Sequence, residues 1–123
     1  MWELAEVQEP EAWNRLVSGF VLQGGGFSLK DPVPSSPPLT DSVQTDAAIQ
    51  NEFNADRSNI VRTVAMAKLG SNPNSATSQF FFNLGDNSSN LNNQNGGFTV
   101  FGKVVGGWSV ITTIAGFTTR DLN

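Results

Sequence analysis

The chain of 123 residues carries a formal net charge of −4 and contains neither histidine nor cysteine. The acidic balance argues against a nucleic-acid partner, which requires a basic face, and no apolar run approaches the ~20 residues that span a bilayer. Disulfides, thiol catalysis, and the commonest general base and zinc ligand are likewise excluded. We therefore expect no nucleic acid, no membrane and no metal ion among the partners of this protein.

The N-terminal segment begins with acidic residues that lack the basic start and apolar stretch of a secretory signal. This start favours a cytoplasmic protein, or a periplasmic one if an upstream segment is missing. Trp13, Leu16 and Val17 recur at helical spacing, which predicts a short helix or turn within residues 1–17.

A short apolar run, Phe20–Gln23, predicts a strand that ends in a flexible turn at the three glycines of residues 24–26. The following residues 30–50 include four prolines, which remove backbone donors and restrict their neighbours. They predict an irregular surface loop of a length that indicates function or mobility. A linker between two domains is the alternative. Because neither flank looks sufficient to fold alone, we expect one domain over residues 1–123.

The rest of the chain predicts a mainly β fold with one or two short helices. Strands are indicated at Thr63–Ala67, Gln79–Leu84 and Phe98–Val105. Between the last two, the Asn-rich stretch Asp86–Gly97 indicates a polar loop. Trp108, Ile111 and Ile114 then recur at helical spacing, and Gly116 ends that helix.

Gln79 stands directly before three phenylalanines. A strand places Gln79 and Phe81 on one face, so that an amide lies beside an aromatic ring. Such a face can bind an apolar group while hydrogen-bonding a carbonyl. A core strand with a polar first residue fits the pattern equally well, and Arg15, taken alone, is expected to be an ordinary surface residue.

Three blocks of the chain, in order, resemble the cyclophilin-type peptidyl-prolyl cis-trans isomerases. Residues 14–27 resemble the family's stretch of Phe-His-Arg, apolar residues, Gly-Phe and Gln-Gly-Gly. Thr63–Ala67 with Asn74–Phe81 resembles the central signature of the family, and Leu91–Val104 resembles the segment that follows. The resemblance covers about residues 12–119, and the Pro-rich insertion and Asn-rich loop are similar to those of bacterial members.

The resemblance implies a closed antiparallel barrel of eight strands capped by two helices. The family has two long strands and most of a helix before the arginine block, and a closing strand after the second helix. We expect this chain to lack these N-terminal strands and the closing C-terminal strand, which would leave unpaired edges. Strand-swapped self-association is one way to close such a barrel.

The resemblance also implies functional positions. Arg15 takes the place of the catalytic arginine. Nine further positions correspond to residues that contact substrate. The proline pocket and its edge are Phe20, Val21, Phe81 and Leu91, and the two glutamines that hold the peptide backbone are Gln23 and Gln79. Ala67, Lys68 and Phe98 are neighbours of the pocket. Lys68 stands where many members have Asn, and Asn14 stands where many have His.

The implied activity is rotation of X-Pro peptide bonds, which assists protein folding and needs no cofactor or metal. The implied partners are proline-containing peptides or unfolded proteins. Cyclosporin-type ligands are expected to bind weakly, because Asn90 falls near the position of a pocket-rim Trp. The alternatives are a catalytically weak module that binds proline peptides and an incomplete fragment of an isomerase.

Overall fold

A computed structural model describes residues 11–117 of the chain, which form eight strands and two helices. One antiparallel sheet runs through β1 (Glu11–Ala12), β4 (Phe27–Leu29) and β5 (Thr40–Ser42). The other runs from edge to edge through β2 (Arg15–Val17), β3 (Val21–Gly24), β7 (Phe80–Asn83), β6 (Thr63–Met66) and β8 (Val100–Lys103). The helices are α1 (Ser88–Leu91) and α2 (Trp108–Ala115).

The expected mainly β, antiparallel architecture is confirmed. The strands predicted around Phe20–Gln23, Thr63–Ala67 and Gln79–Leu84 correspond to β3, β6 and β7. The predicted C-terminal helix is α2, which has Gly116 as its C-cap and contributes buried Ile111 to the core. Over residues 11–117 the two sheets do not join into a closed barrel. None of the helices described there is long and apolar enough to cross a membrane.

The helix predicted within residues 1–17 is wrong for residues 11–17, which form β1 and β2, while residues 1–10 lie outside the described residues. Trp13 and Leu16 do pack against one core cluster, as a helical spacing suggests. Trp13 reaches it from the link between β1 and β2, and Leu16 from within β2, because pairing of β2 with β3 prevails over local propensity. The Pro-rich segment likewise holds a strand that the sequence did not predict, β5.

The five-stranded sheet separates two apolar clusters. The first, which we call the helix-side cluster, centres on Leu22, Val64, Phe80, Phe82, Val104 and Ile111. The second, the ligand-side cluster, centres on Val21, Ala65, Phe81, Leu91 and Val100. Alternation of side chains along β7 therefore sends its middle phenylalanine to the opposite face from the two that flank it. The ligand-side face is where the residues predicted to contact substrate lie.

Candidate functional site

One row of residues crosses all five strands of the larger sheet in register. The Cα partners are Arg15 with Gln23, Gln23 with Phe81, Phe81 with Ala65, and Ala65 with Val100. Directly paired residues point to the same face, so a guanidinium, an amide and an aromatic ring stand side by side. Because neighbouring strands are about 4.8 Å apart, the backbones of Arg15 and Phe81 are about 10 Å apart. The Gln23 side chain lies between them, so the three groups form one continuous row on this face.

The apolar part of the site is the ligand-side cluster. Phe81 and Phe98 meet edge to face, with 5.7 Å between ring centroids and 76° between ring planes. Phe81 and Leu91 are buried, whereas Phe20 and Phe98 are half-buried and pack against the cluster from its rim. The result is an aromatic floor with partly open walls, a surface suited to a compact apolar ring.

Two glutamines on this face are joined by their side chains. The Oε1 atom of Gln79 accepts a hydrogen bond of 2.7 Å from Nε2 of Gln23 and one of 3.0 Å from Nδ2 of Asn14. A carbonyl oxygen has two lone pairs, so Oε1 of Gln79 is fully used. Among the described residues, Nε2 of Gln79 and Oε1 of Gln23 have no partner. The pair thus offers one donor and one acceptor to the backbone of a ligand.

Gly26 gives Gln79 its space. A Cβ atom at Gly26 would lie 2.8 Å from Cδ of Gln79, a distance shorter than carbon atoms tolerate. The backbone also fixes Gln79, because its carbonyl accepts a hydrogen bond of 3.0 Å from the N–H of Ala67. The backbone of Gln79 is therefore fixed by a hydrogen bond, and its side chain by two amide donors. Gly26 lies so close to that side chain that no larger residue fits there.

Arg15 is exposed in edge strand β2. Within residues 11–117, its guanidinium has no ion-pair or hydrogen-bond partner. Its N–H groups are free to donate to a ligand that lies against the neighbouring Gln23 and Phe81.

Lys68 follows β6 and bends its side chain onto the loop that precedes β8. Its Nζ atom donates to the carbonyls of Asn95, at 2.8 Å, and Gly97, at 2.5 Å. The same atom lies 4.5 Å from the centroid of the Phe98 ring, a cation–π contact. Burial in this position lowers the pKa of Lys68, since desolvation disfavours the charged form. A positive charge therefore borders the aromatic floor.

The structure places all ten predicted site residues on or beside this face. Two features of the site were not predicted from the sequence. Asn14 was noted only as a replacement for a histidine, and its hydrogen bond to Gln79 depends on pairing across the sheet. Four hydrogen-bonded asparagines were also missed: two fall in the Asn-rich stretch that indicates a loop, and the other two gave no sign in the sequence that their amides would be buried. Their positions are Asn59, Asn83, Asn87 and Asn92.

Comparison with known proteins gives consistent results. The family profile described as "Cyclophilin type peptidyl-prolyl cis-trans isomerase/CLD" matches residues 9–123. The chain is 39% identical over 106 residues to "Peptidyl-prolyl cis-trans isomerase" of Acinetobacter baylyi, covering 84% of this chain and 50% of that protein. It is 37% identical over 111 residues to "Peptidyl-prolyl cis-trans isomerase B" of Escherichia coli, covering 87% of this chain and 62% of that protein.

A solved structure has the same fold. It is that of a cyclophilin-type peptidyl-prolyl cis-trans isomerase of Cryptosporidium parvum in the presence of the dipeptide Ala-Pro, with a TM-score of 0.65 and 22% identity. The similarity covers 90% of this chain and 64% of that one. The chain thus spans between one half and two thirds of the length of the relatives it matches. With its profile match over nearly the whole sequence, the chain belongs to the cyclophilin-type peptidyl-prolyl cis-trans isomerase family.

Proposed function

We propose that this chain binds proline-containing segments of peptides or unfolded proteins and accelerates cis-trans rotation of the X-Pro peptide bond. The observation that carries the proposal is the row of Arg15, Gln23 and Phe81 in register across β2, β3 and β7. A free guanidinium, a backbone-binding amide and an aromatic floor lie next to one another on one face. The named isomerase relatives and the Ala-Pro dipeptide in the Cryptosporidium structure support the same activity.

Rotation about a peptide bond is slow because the nitrogen lone pair is delocalised into the carbonyl, which gives a barrier of ~18–20 kcal/mol. In the twisted transition state the lone pair returns to the nitrogen. A donor placed at that nitrogen forms a hydrogen bond that strengthens only as the bond twists, and it thereby stabilises the transition state over both ground states. No nucleophile, proton transfer or redox step is needed.

The residues of the site have distinct roles in this proposal. The proline ring packs on Phe81 and against Leu91 and Phe98. The free Nε2 of Gln79 donates to a ligand carbonyl, and the free Oε1 of Gln23 accepts from a ligand N–H. Arg15 donates to the prolyl nitrogen as the bond twists. Binding thus depends on the floor and the glutamines, whereas turnover depends on the guanidinium.

The test is an isomerisation assay on a short X-Pro peptide with the purified chain. Arg15→Ala should lower kcat/KM by about 100-fold, the order expected for loss of one transition-state donor, with peptide affinity nearly unchanged. Lys30→Ala is the matched control, because it removes a surface cation whose ion pair with Asp41, at 3.9 Å, is weak. Equal rates for wild type and Arg15→Ala would remove Arg15 from the mechanism.

A second candidate is a module that binds proline peptides without turnover. It is favoured by the two sheets that do not close over residues 11–117 and by the exposure of Arg15 at a sheet edge. Peptide titration that shows affinity, together with no rate enhancement, selects this candidate.

Self-association by strand exchange is a further part of the proposal, because two separate sheets leave room for strands from a second copy. Thermal unfolding at several protein concentrations tests it. A midpoint that rises with concentration supports exchange, and a constant midpoint rejects it. Absence of any cooperative transition would mean that this chain is an incomplete fragment.

A further inference from the structure

We propose that four asparagines, Asn59, Asn83, Asn87 and Asn92, form a buried frame that sets the spacing of the walls of the candidate proline pocket. The inference deepens the proposed function and rests on it. These residues are positioning residues, since they act on the ligand only through the wall residues they hold.

The four side chains form a continuous chain of hydrogen bonds. Nδ2 of Asn87 donates to Oδ1 of Asn83 at 2.8 Å, and Nδ2 of Asn83 donates to Oδ1 of Asn59 at 3.1 Å. Nδ2 of Asn59 then donates to Oδ1 of Asn92 at 3.0 Å. Asn59 and Asn83 are 0% exposed. Amides are rarely placed at such depth, because burial of an amide is unfavourable unless its hydrogen bonds are satisfied.

Two of these asparagines hold pocket walls. Nδ2 of Asn87 donates to the carbonyl of Phe20 at 2.9 Å, and Nδ2 of Asn59 donates to the carbonyl of Phe98 at 3.0 Å. Phe20 directly precedes β3, and Phe98 lies two residues before β8. Neither residue belongs to a strand. The carbonyl of Phe20 also accepts a hydrogen bond of 2.9 Å from the N–H of Leu84, next to the paired residues of β3 and β7, so the amide of Asn87 adds a second bond to the same oxygen. The frame connects the backbones of two pocket walls that are far apart in the sequence.

The frame also holds the third wall. α1 carries Asn87 at its N-cap and Asn92 at its C-cap, with Leu91 between them. The N–H of Leu91 donates to the carbonyl of Asn87 at 2.7 Å, and the carbonyl of Leu91 accepts from the N–H of Phe98 at 3.0 Å. Phe20, Leu91 and Phe98 are thus tied to one set of amides, although α1 is only four residues long.

A role in positioning explains why the frame is polar. Apolar side chains of similar size would fill the same volume and stabilise the fold through burial. They would not fix two backbone carbonyls at defined distances, because apolar contacts are non-directional. Hydrogen bonds are directional, and a satisfied buried network has one arrangement. The polar frame therefore stabilises the fold less than apolar packing would, but it fixes the width of the pocket.

The first measurement is the dissociation constant of an X-Pro tetrapeptide for the purified chain and its variants. Asn87→Ala removes the hydrogen bond from the frame to the Phe20 carbonyl, and Asn59→Ala removes the one to the Phe98 carbonyl. Each should weaken peptide binding by about tenfold, the upper end of what loss of one hydrogen bond produces. Asn87 is less deeply buried than Asn59, with 8% of its surface exposed against 0%, so Asn87→Ala keeps the test decisive if Asn59→Ala fails to fold.

Two controls separate positioning from stability. Asn92→Asp keeps the Oδ1 acceptor that the backbone N–H and Nδ2 of Asn59 use, so it should bind peptide within twofold of wild type, whereas Asn92→Ala should not. Ile111→Val destabilises the helix-side cluster without touching the frame. It should leave the dissociation constant unchanged. Equal weakening of binding by Ile111→Val and by a frame variant of the same Tm would overturn the proposal.

A readout independent of activity completes the test. The carbonyl ¹³C resonances of Phe20 and Phe98 in the free protein report their hydrogen bonds. Asn87→Ala should shift the first and Asn59→Ala the second, while Ile111→Val should shift neither. Unmoved resonances in the frame variants would refute the frame. If wild type binds no proline peptide, the proposed function fails, and these resonances alone decide whether the frame sets the wall positions.

Discussion

Gln23 donates a 2.7 Å hydrogen bond from Nε2 to Oε1 of Gln79, although 56 positions separate the two residues in the sequence. Because Gln79 Oε1 is saturated by this bond and by the one from Asn14, the orientation of both amides is defined. A ligand therefore meets a donor from Gln79 and an acceptor from Gln23, which is the complement of a peptide backbone.

Replacement of Asn14 should separate binding from stability. The Oδ1 atom of Asn14 is buried and has no hydrogen-bond partner, and an unsatisfied buried acceptor is unfavourable by about 1–3 kcal/mol. Asn14→Leu removes this atom together with the donor to Gln79. We expect peptide affinity to fall several-fold while Tm stays constant or rises, as measured by titration and thermal melting. Asn72→Leu, an exposed asparagine outside the site, is the control. A Tm that falls in Asn14→Leu would contradict the prediction.

Gly26→Ala should displace the side chain of Gln79. The added Cβ would meet Cδ of Gln79 at 2.8 Å, so the Gln79 side chain must leave its present position. We expect weaker peptide binding with secondary structure retained, measured by titration and circular dichroism. Gly70→Ala is the matched control, because its Cβ would have nothing within 4 Å. Equal affinity in both variants would show that the position of Gln79 does not matter.

Lys68 should make the free energy of unfolding depend on pH in the alkaline range. Desolvation lowers the pKa of Lys68 in the folded state below its ordinary value of 10.5. The unfolded chain therefore binds more protons than the folded one between the two pKa values, and the free energy of unfolding rises with pH in that window. Below the folded pKa the charged side chain carries its full desolvation penalty.

The measurement is urea unfolding of wild type and Lys68→Met from pH 7 to pH values near 10.5. The other lysines titrate in both proteins, so their contributions cancel in the difference. Wild type should gain stability relative to Lys68→Met as the pH rises through the window. A constant difference across the range would show that burial does not perturb Lys68.

Asn90 should limit the affinity for cyclosporin-type ligands. Its side chain is exposed in α1, next to buried Leu91, at the rim where the family resemblance places a tryptophan. Asn90→Trp adds an aromatic donor and a large apolar surface there. We expect it to tighten cyclosporin binding by at least tenfold with little effect on Tm. Ser89→Trp, on the same exposed turn, is the control, and an equal gain in both variants would indicate nonspecific apolar binding.

Much of the fold followed from the sequence because its signals are local. The phenylalanine run of β7 and the spacing of Trp108, Ile111 and Ile114 in α2 indicate their structures without reference to distant residues. The site positions followed from the resemblance of three blocks rather than from any periodicity. Whether Arg15 and the substrate-contacting residues have the proposed roles remains a prediction for the experiments described above.

What the sequence did not predict depends on long-range pairing. Trp13 and Leu16 have a helical spacing, yet Leu16 lies in β2 and Trp13 just before it, because β2 pairs with β3. The hydrogen bonds of Asn59 and Asn83 join segments 24 positions apart. A polar residue in a loop-like context gives no local sign that it will be buried, because its burial is decided by the partners that the fold brings to it.

The alternation along β7 has a consequence for how the protein can change over generations. Phe80 and Phe82 belong to the helix-side cluster and Phe81 to the ligand-side cluster. Substitutions on the ligand side can alter specificity while the packing behind the sheet stays intact. Loss or gain of a single codon within residues 80–83 would instead exchange the two sets of side chains at once. This strand can therefore diverge in composition but not in length.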